Sequence, residues 1–519
     1  MSKRAHASCR CKRTSLTRAT VKGYHMGLLT PAEIERSDLA AAQPATSPQP
    51  AHTGTAAATS KTLEGAFPTA DGYDAVGSAA TNVTDGFTMI AVGDLILSRP
   101  VTKSQLSGFD AVSDILRKAD VTFGNLETVI LDARSSKASP QAGCACHNIS
   151  LPEVAFDLKQ MGFNLIGRAN NHAFDWGIEG MRETSRVLDL AGIVHAGAGE
   201  TLAQAAAARF LETEHGRVAL VSFASTFLPM SRAGDPAGQA PGRPGLNSLR
   251  LRASIMVPLE VLETLRSVRD AVPGFKAPFI DPRRLLMAGI RFEASENPGH
   301  SFEPNVHDVS NILRNIRQAK QYSDFCLATN HGHEPGNWSE DIANYEQAFA
   351  REVIDAGADA YVVHGPHRLR GIEIYKDRPI LYGVGNFFFD GLRTPVAADT
   401  FAAYGKDPRI DTDADVTAAE ESAGYETDYG FTDPIFYESV IPVCRFEQNR
   451  LAEVRLVPLE LGHSQRMANR GIPRIAVPHY GAVILERLRK LSVPFGTHIE
   501  IDDNVGVIRP LDASTNRVP

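Results

Sequence analysis

From about Gly86 onward, short blocks of β-branched and large apolar residues take turns with longer blocks whose apolar positions recur at helical spacing. FTMIAVGDLIL is apolar enough to be a strand buried on both faces, and residues 110–118 then predict a helix. ADVTFGNLE predicts the next strand, residues 152–161 a helix, and FNLIGRAN a third strand. Residues 177–191 predict another helix, followed by a short strand at 193–196 and a longer one in GRVALVSFAST. The rhythm breaks at residues 231–304, where Gly and Pro cluster around one helix at 258–272; this stretch reads as an insertion lying over the main domain. It resumes with a helix at 306–321, a strand at 324–329, a helix at 341–356 and a strand at 360–363. GIEIYKDRPILYGVGNFFFD predicts a hairpin that turns at Lys376-Asp377-Arg378. Residues 391–433 are polar and acidic and predict a long surface loop, after which strands at 441–446 and 451–458 precede a helix at 480–491. Strand–helix alternation of this kind is the signature of a layered α/β fold.

The first 85 residues do not share the rhythm. Residues 1–32 carry Lys3, Arg4, Arg10, Lys12, Arg13, Arg18 and Lys22 without one acidic residue. A basic, Ser/Thr-containing leader of this type resembles a transit segment but lacks the apolar core of a secretory signal. Met26 offers a later start. Residues 38–82 are rich in Ala, Pro, Ser, Thr and Gly and predict a disordered or loosely attached stretch. The expected domain therefore spans 86–496, with 497–519 as an extension.

Composition narrows the class. An apolar fraction of 43% in 519 residues supports a sizeable core, and a formal charge of -8 argues against broad nucleic-acid binding. Apolar runs fall short of the ~20 residues of a membrane-spanning helix, so a soluble, cytoplasmic protein without direct membrane insertion is the expectation. The six cysteines form no disulfide framework in a chain of this length. Cys144-Ala145-Cys146-His147 lacks the second half of a zinc motif and reads as incidental thiols.

The polar residues that carry chemistry fall where strands end. Asp94 follows the first strand, Asn125 and Glu127 the second, and Asn171, His172 and Asp175 the third. His331, His333 and Glu334 follow DFCLATN, while His364 and His367 end AYVVHGPH. In open α/β sheets ligands bind beyond the carboxyl ends of strands, so these residues predict one shared pocket. Each alone has a structural reading: Asn171 or Asp175 as a helix cap, His172 as a core histidine, Glu127 in a turn. Together they form an oxygen/nitrogen set suited to Mn, Fe, Zn or Ni.

AVGDLIL, FGNLET, RANNHAFDWG, NHGHEPG, VVHGPHRLRG and ILYGVGNFFFD resemble, in order, the motifs of the CapA family, named for bacterial poly-γ-glutamate capsule synthesis. That family lies within the calcineurin-like metallophosphatase superfamily, and the resemblance runs from about Gly86 to Gly496. It implies a four-layer αββα sandwich with two central mixed β-sheets. Carried over, the implied site is Asp94, Asn125, Glu127, Asn171, His172, His331, Glu334, His364 and His367. The superfamily's opening Asp-x-His is here Asp94-Leu95-Ile96, without the histidine, and the bridging aspartate motif becomes Gly124-Asn125-Leu126-Glu127.

Arg99, Arg168, Arg368 and Arg370 lie beside these motifs, as does the Gly242-Arg243-Pro244-Gly245 bend. Guanidinium groups bind carboxylate or phosphate through paired hydrogen bonds, so an anionic substrate is expected, with Arg168, Arg368, Arg370 and Asn171 as its contacts. Three functions remain open. The first is metal-assisted hydrolysis or transfer at a phosphoester or γ-glutamyl amide. Asp94, Asn125, Glu127, His172, His331, His364 and His367 would hold one or two divalent ions, and His333 or Glu334 would handle protons. The second is a metal-free peptide epimerase with His172 and His331 as paired bases. The third is a non-catalytic component that holds an acidic polymer within a synthesis complex.

Overall fold

The structure is a computed structural model that describes residues 80–103, 108–141, 147–274, 281–390, 398–416, 418–419 and 433–510. Strand β1 (Thr88–Ile96) shows how the layers are built. Through Val92 its side chains divide by parity, Met89 and Ala91 joining one apolar cluster and Ile90 and Val92 another; past the register shifts around Asp94, Leu95 joins the second cluster. A strand turns alternate residues to opposite faces, and here both faces are covered, which is why the run is apolar throughout.

Along the chain α1 (Phe109–Leu116), β2 (Val121–Asn125), α2 (Glu153–Met161), β3 (Leu165–Gly167), α3 (Gly177–Leu190) and β4 (Val194–Ala196) follow. Next come β5 (Arg209–Thr213) and β6 (Gly216–Ala224), an antiparallel pair. Beyond the insertion lie α4 (Val306–Gln321), β7 (Phe325–His331), α5 (Glu346–Asp355), β8 (Ala360–His364), β9 (Ile372–Tyr375) and β10 (Arg378–Leu381). The chain ends with β11 (Asn386–Phe389), β12 (Glu438–Glu447), β13 (Arg450–Glu460), α6 (Pro478–Ser492) and β14 (Val505–Ile508).

The first, ten-stranded sheet runs β14-β13-β12-β1-β2-β3-β4, with β11 also paired to β1 and two short strands, Glu500–Asp502 and Arg474–Ile475, paired to β14 and β13. The second, six-stranded sheet runs β9-β10-β8-β7-β6-β5. Between the sheets, Met89, Phe123 and Leu165 pack with Leu220, Phe325, Leu327 and Val362. Outside the first sheet lie α1 to α3, through Phe109, Val112, Leu158 and Val187. Outside the second lie α4 and α5, through Ile312, Ile316, Phe349 and Val353. The architecture is the four-layer αββα sandwich. Helix α6 adds Ile484, Leu485 and Leu488 to the inter-sheet core and touches both β13 and β9, so it closes one edge.

Two expectations are corrected. The insertion holds its helix (Leu259–Ala271), but also a four-stranded sheet of Leu251–Val257, Arg284–Met287, Ile290–Ala294 and Gly299–Pro304. These strands are short and mostly half-buried, which blurs the apolar alternation that would have announced them. The segment from Gly371 to Asp390 is not one hairpin. Lys376 and Asp377 do turn β9 into β10, both in the left-handed region favoured by two-residue hairpin turns. The chain then leaves the second sheet, and β11 pairs with β1 of the first. The crossing needs glycine: a Cβ at Gly93 would lie 1.8 Å from the carbonyl oxygen of Gly385, itself at φ +75°. Residues 1–79, the Cys144/Cys146 pair, most of 417–432 and residues 511–519 lie outside the described residues. No helix among the described residues is long and apolar enough to cross a membrane.

Candidate functional site

Register brings the chemical residues to one end of the sandwich. Asp94 stands opposite Asn125 on one side and Asn386 on the other, in parallel pairings within the first sheet. His331 stands opposite His364 and Ala224 in the second. Asp94, Asn125, His331 and His364 lie at or near the carboxyl ends of their strands, while Asn386 opens β11, and the two sheets face each other, so loops from both converge there. Asp94, Asn125, Glu127, His331 and His364 are each at most 1% exposed.

Asn125 fixes the first carboxylate: its Nδ2 donates to Asp94 Oδ1 at 2.8 Å and lies 3.2 Å from His331 Nδ1. Asn170 Nδ2 in turn donates to Asn125 Oδ1 at 3.1 Å. The other Asp94 oxygen accepts from Gly365 N at 3.0 Å. Gly365 is left-handed, and a Cβ there would come within 3.0 Å of both the His331 and His333 rings. His331 sits at the centre. Its Nδ1 is 3.1 Å from His364 Nδ1, its Nε2 3.1 Å from His333 Nε2 and 3.5 Å from Glu127 Oε1. His367 lies on the other side, with Nδ1 3.5 Å from Asp94 Oδ2 and Nε2 3.9 Å from Glu127 Oε1.

Burial sets the charge state. It drives the pKa values of His331 and His333 well below the ordinary histidine range, and neighbouring imidazoles push the same way. His364 is pushed down to about 4 by burial, with Asp94 opposing. Neutral imidazoles are the form that ligates metal. Three groups of donor atoms each lie within 4.8 Å of one another: Asp94/His331/His364, Glu127/His331/His333 and Asp94/Glu127/His367. His364 Nε2, buried, has no hydrogen-bond partner among the described residues. Carboxylates with neutral imidazoles are the donor set of borderline divalent ions, and these residues fit one. The position two after Asp94 is Ile96, packed with Phe389, Phe436 and Tyr437, so the departure from Asp-x-His is an apolar wall.

His172 joins from α3's approach. Its Nδ1 is 2.7 Å from Asp175 Oδ2, which also accepts from Asn148 N, and its Nε2 is 3.9 Å from Glu127 Oε1. Glu334 accepts from Ser225 Oγ at 2.8 Å and Thr226 Oγ1 at 2.9 Å, and burial raises its pKa. His333, Glu334 and Asn171 are partly exposed, with His333 at the rim of the cluster beside His331.

The arginines divide. Arg168 is not part of the cluster: its guanidinium donates to Met181 O and Ser185 Oγ of α3 at 3.2 and 3.0 Å. Arg99 donates to Ala468 O, and Arg243 to Arg232 O within the insertion. Arg368 and Arg370 instead hold the loop after His333 and Glu334, donating to the carbonyls of Trp338 and Ser339, each at 3.0 Å. Arg370 is fully buried, its pKa is pushed down to about 10 by burial, and its Nη2 has no hydrogen-bond partner among the described residues.

Sequence reasoning missed Asn170, Ser225, Thr226 and Asn386. Asn170 stood beside the residue chosen in its place, and Ser225-Thr226 end a predicted strand, so both carried a positional signal. Asn386, inside an apolar run, carried only its polarity.

Two face-to-face sheets clad in helices, with a carboxylate–imidazole cluster at their carboxyl ends, define a calcineurin-like α/β sandwich. The chain belongs to the bacterial capsule synthesis protein family PGA_cap, whose pattern matches residues 88–391. It is 59% identical over 443 residues to the uncharacterized protein y4sH of Sinorhizobium fredii, covering 84% of this chain and 96% of that one. It is 25% identical over 331 residues to the capsule biosynthesis protein CapA of Bacillus anthracis, 61% of this chain and 63% of the relative. The PGA biosynthesis protein CapA of Bacillus subtilis is 27% identical over 307 residues, 58% and 62% of the two chains.

Proposed function

We propose that this protein is a metal-dependent hydrolase or transferase acting on a phosphoester or γ-glutamyl amide of an acidic capsule-type polymer or peptide. The observation that carries this reading is the convergence of buried Asp94, Glu127, His331, His364 and His367, with His333 at the rim, into three donor groups, each within 4.8 Å. These residues would hold one or two ions of the Mn, Fe or Zn type, which when bound supply Lewis acidity toward an anionic oxygen. Asn125 orients the Asp94 carboxylate toward the cluster. Asp175 accepts the Nδ1 proton of His172, so Nε2 exchanges protons with substrate. Glu334, steadied by two hydroxyls, receives or returns the second proton at the rim. Arg370 supplies positive charge behind Glu334 and balances an anionic substrate.

The Bacillus relatives' names, capsule and PGA biosynthesis, supply the substrate class and suggest work beside a polymer-synthesis complex. The epimerase reading needs two bases on opposite sides of one carbon. His172 Nε2 and His331 Nε2 instead both approach Glu127 Oε1, at 3.9 and 3.5 Å, which favours the hydrolytic reading. A passive polymer binder has little use for ionisable groups buried this deeply, since their desolvation costs free energy. The test combines elemental analysis with assays on a phosphomonoester and a γ-glutamyl anilide. Near-stoichiometric transition metal and metal-stimulated turnover of either substrate are expected. Metal-free protein whose turnover ignores added Mn, Fe or Zn would sink the proposal.

A further inference from the structure

We infer that Asn386 is a positioning residue that sets the tautomer of His367 and thereby presents its Nε2, rather than Nδ1, to the cluster. Asn386 is fully buried in β11, directly opposite Asp94 in the parallel pairing with β1. Its amide can be oriented from its partners. Asn386 Nδ2 lies 3.2 Å from Phe436 O, and a carbonyl only accepts, so the amide nitrogen must face it. The amide oxygen then faces His367, with Oδ1 2.7 Å from Nδ1. An amide oxygen cannot donate, so this contact requires a proton on Nδ1. In a neutral ring that leaves Nε2 as the lone-pair nitrogen, on the side of Glu127 Oε1 at 3.9 Å. Ring orientation is held as well. His367 adopts a left-handed backbone (φ +53°), and the Trp338 ring lies over its imidazole at 5.0 Å. Phe436 serves both ends: its carbonyl orients Asn386 and its ring meets Trp338 edge-on at 4.5 Å.

The part of this inference that concerns metal rests on the hydrolase reading; the tautomer itself does not. Two arms keep them apart. In the first, the full chain is labelled with ¹⁵N-histidine, and the His367 signals are identified by their loss in His367→Gln. Metal-free wild type should show Nδ1 protonated and Nε2 bare. Asn386→Leu, which removes the acceptor at similar volume, should show a mixture of tautomers. Asn386→Asp, which keeps an acceptor, should retain the wild-type pattern. In the second arm, cobalt(II) binding is titrated by its visible absorption. Asn386→Leu should weaken binding about 10- to 100-fold, as loss of an outer partner of a ligating histidine does, with Asn386→Asp staying much closer to wild type. A wild-type His367 protonated at Nε2 overturns the inference whatever the variants do. So does a Leu variant with unchanged tautomer and affinity, or an Asp variant as weak as Leu. Wild type that binds no cobalt yet shows the Nδ1–H tautomer defeats the metal reading and leaves the role of Asn386 standing.

Discussion

At the scale of single residues, His331 and His172 differ in kind. His331 meets His364, His333 and Glu127 at once, so His331→Ala should remove metal and activity together while circular dichroism stays native. His172 stands farther out, with Nε2 3.9 Å from Glu127 Oε1, and is braced by Asp175. His172→Ala should therefore keep most of the metal and lower kcat about 10²- to 10⁴-fold, the range of a lost general acid or base. Metal content measured beside kcat separates the two; full turnover in either variant would refute the site. The ligand-type residues were legible in the sequence because such chemistry needs carboxylates and imidazoles where strands end. Their hydrogen-bonding partners were not, since any polar side chain can serve and only the fold selects Asn170, Ser225 or Asn386. Arg168 misled for a related reason. Sequence neighbourhood places a Cα near the site but says nothing of where a long side chain turns, and this one turns beneath α3.

At the scale of elements, two contacts are exposed to test. The approach of β1 to the segment leading into β11 tolerates no side chain at position 93, where a Cβ would overlap the Gly385 carbonyl. Gly93→Ala should lower stability by at least the ~1–3 kcal/mol typical of overpacking, read as a lower urea midpoint. Its neighbour Asp94 should lose metal affinity in step; an unchanged midpoint would contradict the packing. Between α5 and β8, Tyr361 OH donates to Glu346 Oε1 at 2.7 Å, and burial raises the Glu346 pKa to about 7. The folded state then holds a proton that the unfolded chain, with an ordinary glutamate, releases near pH 4.5. Stability from this group is present below pH 4.5 and is lost as pH rises through 7, by at most about 3 kcal/mol. Glu346→Gln should flatten that decline in urea titrations from pH 4.5 to 8; a slope matching wild type would discount the buried carboxyl. Strand and helix cores were legible from period alone, because both central sheets are covered on both faces. The insertion's sheet and the crossing into β11 were not: half-exposed strands lose their alternation, and β11 pairs with a strand nearly 300 positions earlier in the chain.

At the scale of the whole molecule, the site is the place where the two sheets are chemically joined. Asp94, Asn125 and Asn386 stand on the first sheet, His331 and His364 on the second. Gly365 N reaches Asp94 across 271 positions of chain. An ion held by ligands from both sheets binds only when the sandwich is assembled, so its binding free energy adds to folding. At a free metal concentration 100 times Kd this contributes about 2.7 kcal/mol. Chelation should therefore lower Tm by a few degrees, and manganese, iron or zinc should restore it in a concentration-dependent way. The paired variants Asp94→Asn and His364→Gln, one per sheet, should each abolish that response. If only one of them did so, the ion would be held by a single sheet, and the midpoint shift would report a local site rather than the seam. A Tm indifferent to chelator and metal alike would rule out an ion that bridges the two sheets.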